Sequence, residues 1–190
     1  MKHLVRVPIR SLVGTYGAHK IVYEAAGCPR PLWRRYDDHA LLLADQAHES
    51  WPSKPYDPSP TVGMRVRFDL LANVSVDKSV KDGRRQRIDP VLQAWVDSGK
   101  KAKWQALGFD VGCHWLESRQ ERNGFVLQQV DVADYSTLDF LRNDKPVRIG
   151  TIAFSGQMLV QDAEKFRDAM LNGIGHSRAW GCGLLLCKRT

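Results

Sequence analysis

The chain has 190 residues, of which 43% are hydrophobic and 26% charged, an ordinary composition for a soluble globular protein. No stretch approaches the roughly 18–20 apolar residues that span a membrane, and the first nine residues lack the apolar centre of a secretory signal. These features predict a cytoplasmic protein with no membrane partner. The net charge of +7 and the pI of about 9.4 are compatible with a nucleic-acid partner without requiring one.

The four cysteines do not form the C-x-x-C pairs that are typical of zinc and redox sites. We interpret Cys28, Cys113, Cys182 and Cys187 as buried free thiols rather than as metal ligands or disulfide partners. No cluster of acidic residues, or of histidine with cysteine, has the spacing of a ligand set. The sequence therefore predicts neither a metal nor a cofactor.

The first half of the chain reads as one α+β unit. The predicted elements are a strand at 2–9, a helix at 14–26, strands at 30–38 and 40–47, an extended Pro-rich loop at 46–61 and a strand at 65–74. This order is close to a ferredoxin-like β-α-β-β-α-β unit whose second helix is weak or lost in the Pro-rich loop.

A basic segment at 77–103 separates this unit from the next, and we place the domain boundary near residue 90. Such a run of basic residues is either a solvated surface or a surface that binds phosphates. The second half is predicted to contain helices at 90–95 and 101–107, strands at 109–117 and 125–132, a hairpin of 137–141 with 148–154, a helix at 162–171 and a strand at 183–187. Two α+β units, residues 1–90 and 91–190, fit this pattern better than one doubly wound sheet.

Two residues of the first predicted helix lie off its apolar stripe. Tyr16 and His19 are three positions apart, so they are neighbours on the helix surface. An imidazole beside a phenol near a basic surface is a possible acid/base pair, whereas a lone surface histidine is usually only solvated. The pattern alone leaves both interpretations open.

The segment 172–185 contains four glycines, Gly173, Gly175, Gly181 and Gly183. It is neither a P-loop nor a dinucleotide-binding fingerprint, because it follows a helix instead of opening one. With His176 and Arg178 in its middle, it could present backbone amides to an anion. A helix cap followed by a tight loop and a bulge explains the glycines equally well.

Three motifs occur in a recognisable order along the chain: Leu70-Leu-Ala-Asn73, Phe154-Ser-Gly-x-Met-x-Val160 and the glycine segment Gly173–Leu185. Together they resemble the CasE family, the CRISPR-associated endoribonucleases of type I-E Cascade. The resemblance covers essentially the whole chain. Tyr16-x-x-His19 falls where that family carries its catalytic Tyr-x-x-His pair.

The resemblance implies two tandem ferredoxin-like (RRM-like) domains. It also implies cleavage of the repeat stem-loop of precursor CRISPR RNA at the 3′ base of the stem. The cut is made without metal, leaves a 2′,3′-cyclic phosphate, and the protein stays bound to its product beside other Cascade subunits. In this family a hairpin of the second domain enters the RNA major groove, and by position that hairpin is 140–148. The alternative is a non-catalytic stem-loop RNA-binding subunit.

The same resemblance assigns catalysis to His19 and Tyr16. Some relatives carry a lysine five residues after the histidine, where this chain has Glu24, so Lys20, Arg30 or Arg34 is expected to supply the cation at the phosphate. With the resemblance, the glycine segment is interpreted as a cradle of backbone amides that positions the RNA, with Arg178 as its phosphate contact. The residues expected to bind RNA are basic or belong to the glycine segment: Lys20, Arg30, Arg34, Arg84, Arg85, Arg87, Arg142, Lys145, Arg148, Gly173, Gly175, His176, Ser177 and Arg178.

Overall fold

The computed structural model describes residues 1–28, 31–79, 85–133 and 135–190. Its elements are β1 (Lys2–Pro8), α1 (Thr15–Ala26), β2 (Leu32–Arg35), β3 (His39–Ala44), β4 (Ser53–Tyr56), β5 (Arg65–Asn73), β6 (Val76–Ser79), β7 (Arg85–Ile88), α2 (Pro90–Asp97), α3 (Trp104–Glu117), α4 (Gln120–Asn123), β8 (Phe125–Val132), β9 (Ser136–Arg142), β10 (Lys145–Val160), α5 (Ala163–Asn172), a 3₁₀ turn (Arg178–Trp180) and β11 (Leu185–Arg189). None of the helices in these ranges is long and apolar enough to cross a membrane.

The first sheet is antiparallel, with the strand order β2-β3-β1-β4. Helix α1 packs its buried Ala18 and Val22 against this sheet, where Val5, Val7 and Leu42 complete the core. Strand β4 lies in the Pro-rich segment that was predicted to be loop throughout. Its Pro55 is tolerated because β4 is an edge strand. The sheet has the ferredoxin-like order, with a loop in place of the second helix.

The second sheet repeats this order as β11-β5-β10-β8, with α3 between β5 and β8 and α5 between β10 and β11. Buried aromatic rings fill the space between sheet and helices, among them Phe68, Phe125, Phe154 and Phe166. Two ferredoxin-like units in an α+β chain are therefore confirmed. The ribbon β6–β7 and helix α2 are inserted between β5 and α3.

Strand β5 belongs to the second sheet, although the sequence placed it at the end of the first unit. Its Phe68 is paired with Gly156 of β10 on one side and with Cys187 of β11 on the other. The alternation in β5 predicts a strand with one buried face, but it does not identify the partner strands. We propose on these pairings that the two units divide between Tyr56 and Arg65, rather than near residue 90.

The strand predicted at 109–117 is wrong, because these residues form most of α3. The buried residues Trp115 and Leu116 continue a helical face that includes Gly112 and Gly108 at intervals of three and four. A Cβ on Gly112 would lie 3.0 Å from Ile152 Cδ1, so this glycine brings the helix close to the sheet. Over nine residues the alternating and helical patterns were too similar to separate.

The predicted hairpin is confirmed as β9 and β10. Asn143 and Asp144 join the strands with φ values of 50° and 59°, as a two-residue type I′ turn requires. Beyond the hairpin, β10 continues as one strand of 16 residues into the centre of the second sheet. The hairpin is thus a projecting extension of the sheet. Among the described residues all four cysteines are free, and Cys182 is the fully buried one.

An ion pair connects the two sheets. Arg34 of β2 donates from Nη1 to Asp69 Oδ1 of β5 at 2.5 Å. The Arg34 side chain is only 12% exposed, whereas Asp69 is 44% exposed. The sequence offered Arg34 as an RNA-binding cation, but its charge is directed at this carboxylate.

We predict that Arg34→Gln and Asp69→Asn each lower the free energy of unfolding by about 1–2 kcal/mol, because one partner is nearly buried and the other half exposed. The free energy of unfolding of the double variant should fall by clearly less than the sum of the two single decreases. Urea unfolding of the four proteins measures this coupling. Strictly additive losses would contradict a stabilising pair.

Candidate active site and nucleic-acid interface

One face of α1 carries a row of aromatic side chains that includes the predicted catalytic pair. The His19 ring lies 4.1 Å from the Tyr23 ring and 4.4 Å from the Trp180 ring, measured between centroids. Tyr16 lies 6.1 Å from His19 and 6.2 Å from Trp180. The structure therefore brings Tyr16 and His19 together with the glycine segment of the second unit. We call these four rings the His19 cluster.

A backbone carbonyl orients the His19 ring. His19 Nδ1 and the Ala179 carbonyl oxygen are 2.8 Å apart. Since a carbonyl can only accept, Nδ1 carries the hydrogen and donates it. The lone pair of the neutral ring is then on Nε2, which is the nitrogen able to take a proton. The indole Nε1 of Trp33 donates to the same carbonyl at 3.2 Å.

Trp180 also connects the His19 cluster to the hairpin. Its ring centroid lies 4.0 Å from that of Phe140 on β9, and β9 contacts α1. The sequence left Trp180 open as a base-stacking or a core residue. In the structure it is half-buried between the histidine and the hairpin. The element that the resemblance assigns to the RNA major groove therefore packs against Trp180 and contacts α1, the helix that carries the candidate catalytic residues.

The candidate cations for the scissile phosphate differ in their surroundings. Lys20 Nζ lies 4.8 Å from the centre of the Tyr16 ring, and Lys20 is exposed. Arg34 is engaged with Asp69 at 2.5 Å, and Arg30 lies outside the described residues. Of the two candidate cations that the structure describes, Lys20 is therefore the one that lies beside Tyr16.

The glycine segment uses many of its amides within the protein. Gly173 N–H donates to Ala169 at 2.8 Å, Ile174 N–H to Gly183 at 2.9 Å, and Gly183 N–H to Leu71 at 2.7 Å. Gly173 has φ +75°, and a Cβ there would lie 2.6 Å from the Gly183 oxygen. Close backbone packing thus explains these glycines, as the capped-loop reading proposed.

The side chains that follow Gly175 line a basic cleft of about 830 Å³. The described lining residues are Tyr23, Arg87, Arg119, Arg122, Asn123, Gly173, Ile174, Gly175, His176, Ser177, Arg178, Ala179 and Trp180. Four of them are arginines and none is acidic. We refer to this site as the arginine cleft.

Arg119 and Arg122 were missed by the sequence reasoning, although both line the arginine cleft. Arg119 lies 3.7 Å from the centre of the Trp115 ring, and its Nη1 donates to the Trp115 carbonyl at 2.8 Å. Burial, and then the nearby charge of Arg122, lower the pKa of Arg119 to about 10. A predicted helix ending at 117 would have indicated that both arginines follow its C-terminal end, but that segment was predicted as a strand.

The other predicted RNA-binding residues lie on two ribbons. Arg142 and Lys145 are exposed and pair with each other at the hairpin turn, while Arg148 is bonded to Asp139 at 2.6 Å. On the ribbon β6–β7, Arg85 is exposed and Arg87 is bonded to Asp77 at 3.2 Å. Arg84 lies outside the described residues. In the part of the chain that is described, no group of three His, Cys, Asp or Glu side chains could hold a metal ion.

We predict an acid-sensitive contribution of His176 to stability. Burial, followed by the charge of Arg87, lowers the pKa of His176 below its ordinary value of 6.5. The unfolded chain therefore takes up this proton at a higher pH, and the protein loses stability as the pH falls below about 6.5. Urea unfolding at pH values between about 7.5 and about 5 should show that the free energy of unfolding falls less for His176→Gln than for the wild type. Equal losses in the two proteins would contradict the assignment.

Comparisons with known proteins agree with this architecture. Residues 10–189 match the family described as CRISPR associated protein. The CRISPR-associated endoribonuclease Cse3 of Thermus thermophilus is 24% identical in an alignment that covers 95% of this chain and 92% of that protein. A structure of CRISPR endoribonuclease Cse3 bound to 19 nt RNA has a TM-score of 0.69 at 23% identity, covering 99% of this chain and 100% of the other.

A chain of a CRISPR RNA-guided surveillance complex has a TM-score of 0.65 at 20% identity and covers 100% of both chains. These solved structures share the fold described above. The family match extends over nearly the entire sequence, including α1 and the glycine segment. The chain therefore belongs to the CRISPR-associated protein family and, within it, to the CasE group that includes Cse3.

Proposed function

We propose that this protein is a metal-independent endoribonuclease that cuts the repeat stem-loop of precursor CRISPR RNA at the 3′ base of the stem. It then stays bound to the mature RNA as a Cascade subunit. The observation that carries this proposal is the oriented His19 ring, whose Nδ1 donates to the Ala179 carbonyl at 2.8 Å. Support comes from the name of the Thermus relative, from the RNA-bound Cse3 structure and from the similar chain of a surveillance complex.

The reaction that suits these residues is transesterification by the RNA's own 2′-hydroxyl. His19 Nε2 takes the 2′-hydroxyl proton as the 2′-oxygen bonds to phosphorus. The bond from phosphorus to the 5′-oxygen then breaks, and that oxygen takes up a proton. The products are a 2′,3′-cyclic phosphate and a 5′-hydroxyl end. Tyr16 is placed to hydrogen-bond the 2′-hydroxyl or a phosphate oxygen.

Negative charge develops on the phosphate oxygens in this reaction, and a nearby cation stabilises it. We assign this role to Lys20, because it is exposed one helix position beyond His19 and its Nζ lies 4.8 Å from the Tyr16 ring centre. Glu24 is exposed one turn further along α1, where some relatives carry the lysine. Lys20 thus replaces that lysine from the preceding turn of the same helix.

We expect His19→Ala to lower the rate of single-turnover cleavage by about 10²–10⁴-fold, the usual contribution of a proton-transfer group. Binding of the repeat RNA should change little, because the basic surfaces remain. The assay is cleavage of end-labelled repeat RNA in EDTA, with His48→Ala as the matched histidine control.

A His19→Ala protein that cuts at the wild-type rate would refute the assignment of the base. Wild-type protein that binds the repeat tightly and leaves it uncut, with or without metal, would support the non-catalytic alternative. Cleavage abolished by EDTA and restored by a divalent ion would refute metal independence.

We expect Lys20→Ala to lower the cleavage rate by about 10²-fold, because one stabilising cation is lost at the phosphate. Adding Glu24→Lys to this variant should restore part of the rate, since it supplies the cation from the position that relatives use. Rates are compared at saturating protein, so that weaker binding does not contribute. No loss in Lys20→Ala, or no rescue by Glu24→Lys, would contradict the role of Lys20.

A further inference from the structure

The arginine cleft has a positive charge that the proposed chemistry does not use. Four arginines line it, and none of its described lining residues is acidic. Asp77 offsets part of the charge through its bond to Arg87 at 3.2 Å. The charge of Arg122 helps to lower the pKa of Arg119, so these two cations repel each other. A cleft lined by charges of one sign attracts ligands of the opposite sign, so this cleft favours an anion.

The arginine cleft is continuous with the His19 cluster. Tyr23, Ala179 and Trp180 line the cleft, and all three also contact His19. None of the described residues 140–148 of the hairpin lines it. The hairpin and the cleft are therefore two different surfaces that both adjoin the His19 cluster, the hairpin through the contact of Phe140 with Trp180.

We propose that the arginine cleft binds the single-stranded RNA that continues on the 3′ side of the scissile phosphate. This inference depends on the proposed function, in which the cut is at the 3′ base of the stem. With the stem on the hairpin, the strand that passes His19 and leaves the stem is the 3′ segment. Several arginines in an open cleft suit the successive phosphates of a flexible strand better than one small anion.

The test compares binding of three RNAs, each with a 2′-deoxy nucleotide before the scissile phosphate so that none is cut. One stem-loop ends a nucleotide beyond that phosphate. The second carries about eight further nucleotides on the 3′ side, and the third about eight on the 5′ side, a length within the range of single-strand sites. The variant is Arg122→Ala, whose arginine is exposed on α4. The control is Lys101→Ala, an exposed cation outside the cleft lining.

For the wild type, the 3′ extension should tighten binding. It should also steepen the slope of log affinity against log salt by about 2–3, which corresponds to about three or four phosphate contacts at about 0.7 each. Arg122→Ala should remove about 0.7 of this added slope and reduce the gain from the 3′ extension by about 2–10-fold at low salt. Lys101→Ala should keep the wild-type gain.

The proposal is overturned if the 3′ extension adds neither affinity nor slope, if the 5′ extension gives the gain instead, or if Arg122→Ala weakens the short and extended RNAs equally. Normal cleavage of the repeat without a gain from the extension would refute this proposal and leave the proposed function intact. A gain that depends on Arg122, in a protein that leaves cleavable repeat RNA uncut, would refute the proposed function alone.

Discussion

The carbonyl of Ala179 accepts two hydrogen bonds that hold the candidate active site together. His19 and Trp33 donate from the first unit, at 2.8 Å and 3.2 Å, to an acceptor in the second. Both bonds are partly buried, and losing either donor removes one hydrogen bond, whose net contribution to stability is about 0.5–1.5 kcal/mol. The same contact that fixes the tautomer of His19 therefore also stabilises the packing of the two units.

The glycine segment makes this contact possible. Gly181 has φ +85°, and a Cβ there would lie 3.4 Å from the Trp33 ring. Any other residue would be strained at this positive φ, and relief of the strain would shift the 3₁₀ turn that carries the Ala179 carbonyl. The glycines thus serve close packing, while the side chains between them, His176 and Arg178, line the arginine cleft. An amide cradle for RNA is not needed to explain this segment.

The elements that the sequence predicted correctly are those whose signals lie within a few neighbouring residues. The helix that carries His19 and the hairpin turn at Asn143–Asp144 follow from periodicity and turn chemistry, and both are confirmed. The partners of β5 are strands whose paired residues lie at least 78 positions away along the chain, which no local pattern specifies. The error at 109–117 arose because Trp115 fits both periods, and it concealed Arg119 and Arg122. The placement of Trp180 against His19 is likewise a tertiary contact.

Under the proposed function the two units contribute different groups to the reaction, so the junction between the units sets the geometry of the site. Tyr16, His19 and Lys20 lie on the first unit, whereas the hairpin and the four arginines of the arginine cleft lie on the second. A shift of about 1 Å between reacting groups can cost about 10²-fold in rate. Adjacent residues of β2, Trp33 and Arg34, both bond to the second unit. Under the proposed function, losing these two bonds would therefore let His19 move relative to the RNA-binding surfaces of the second unit.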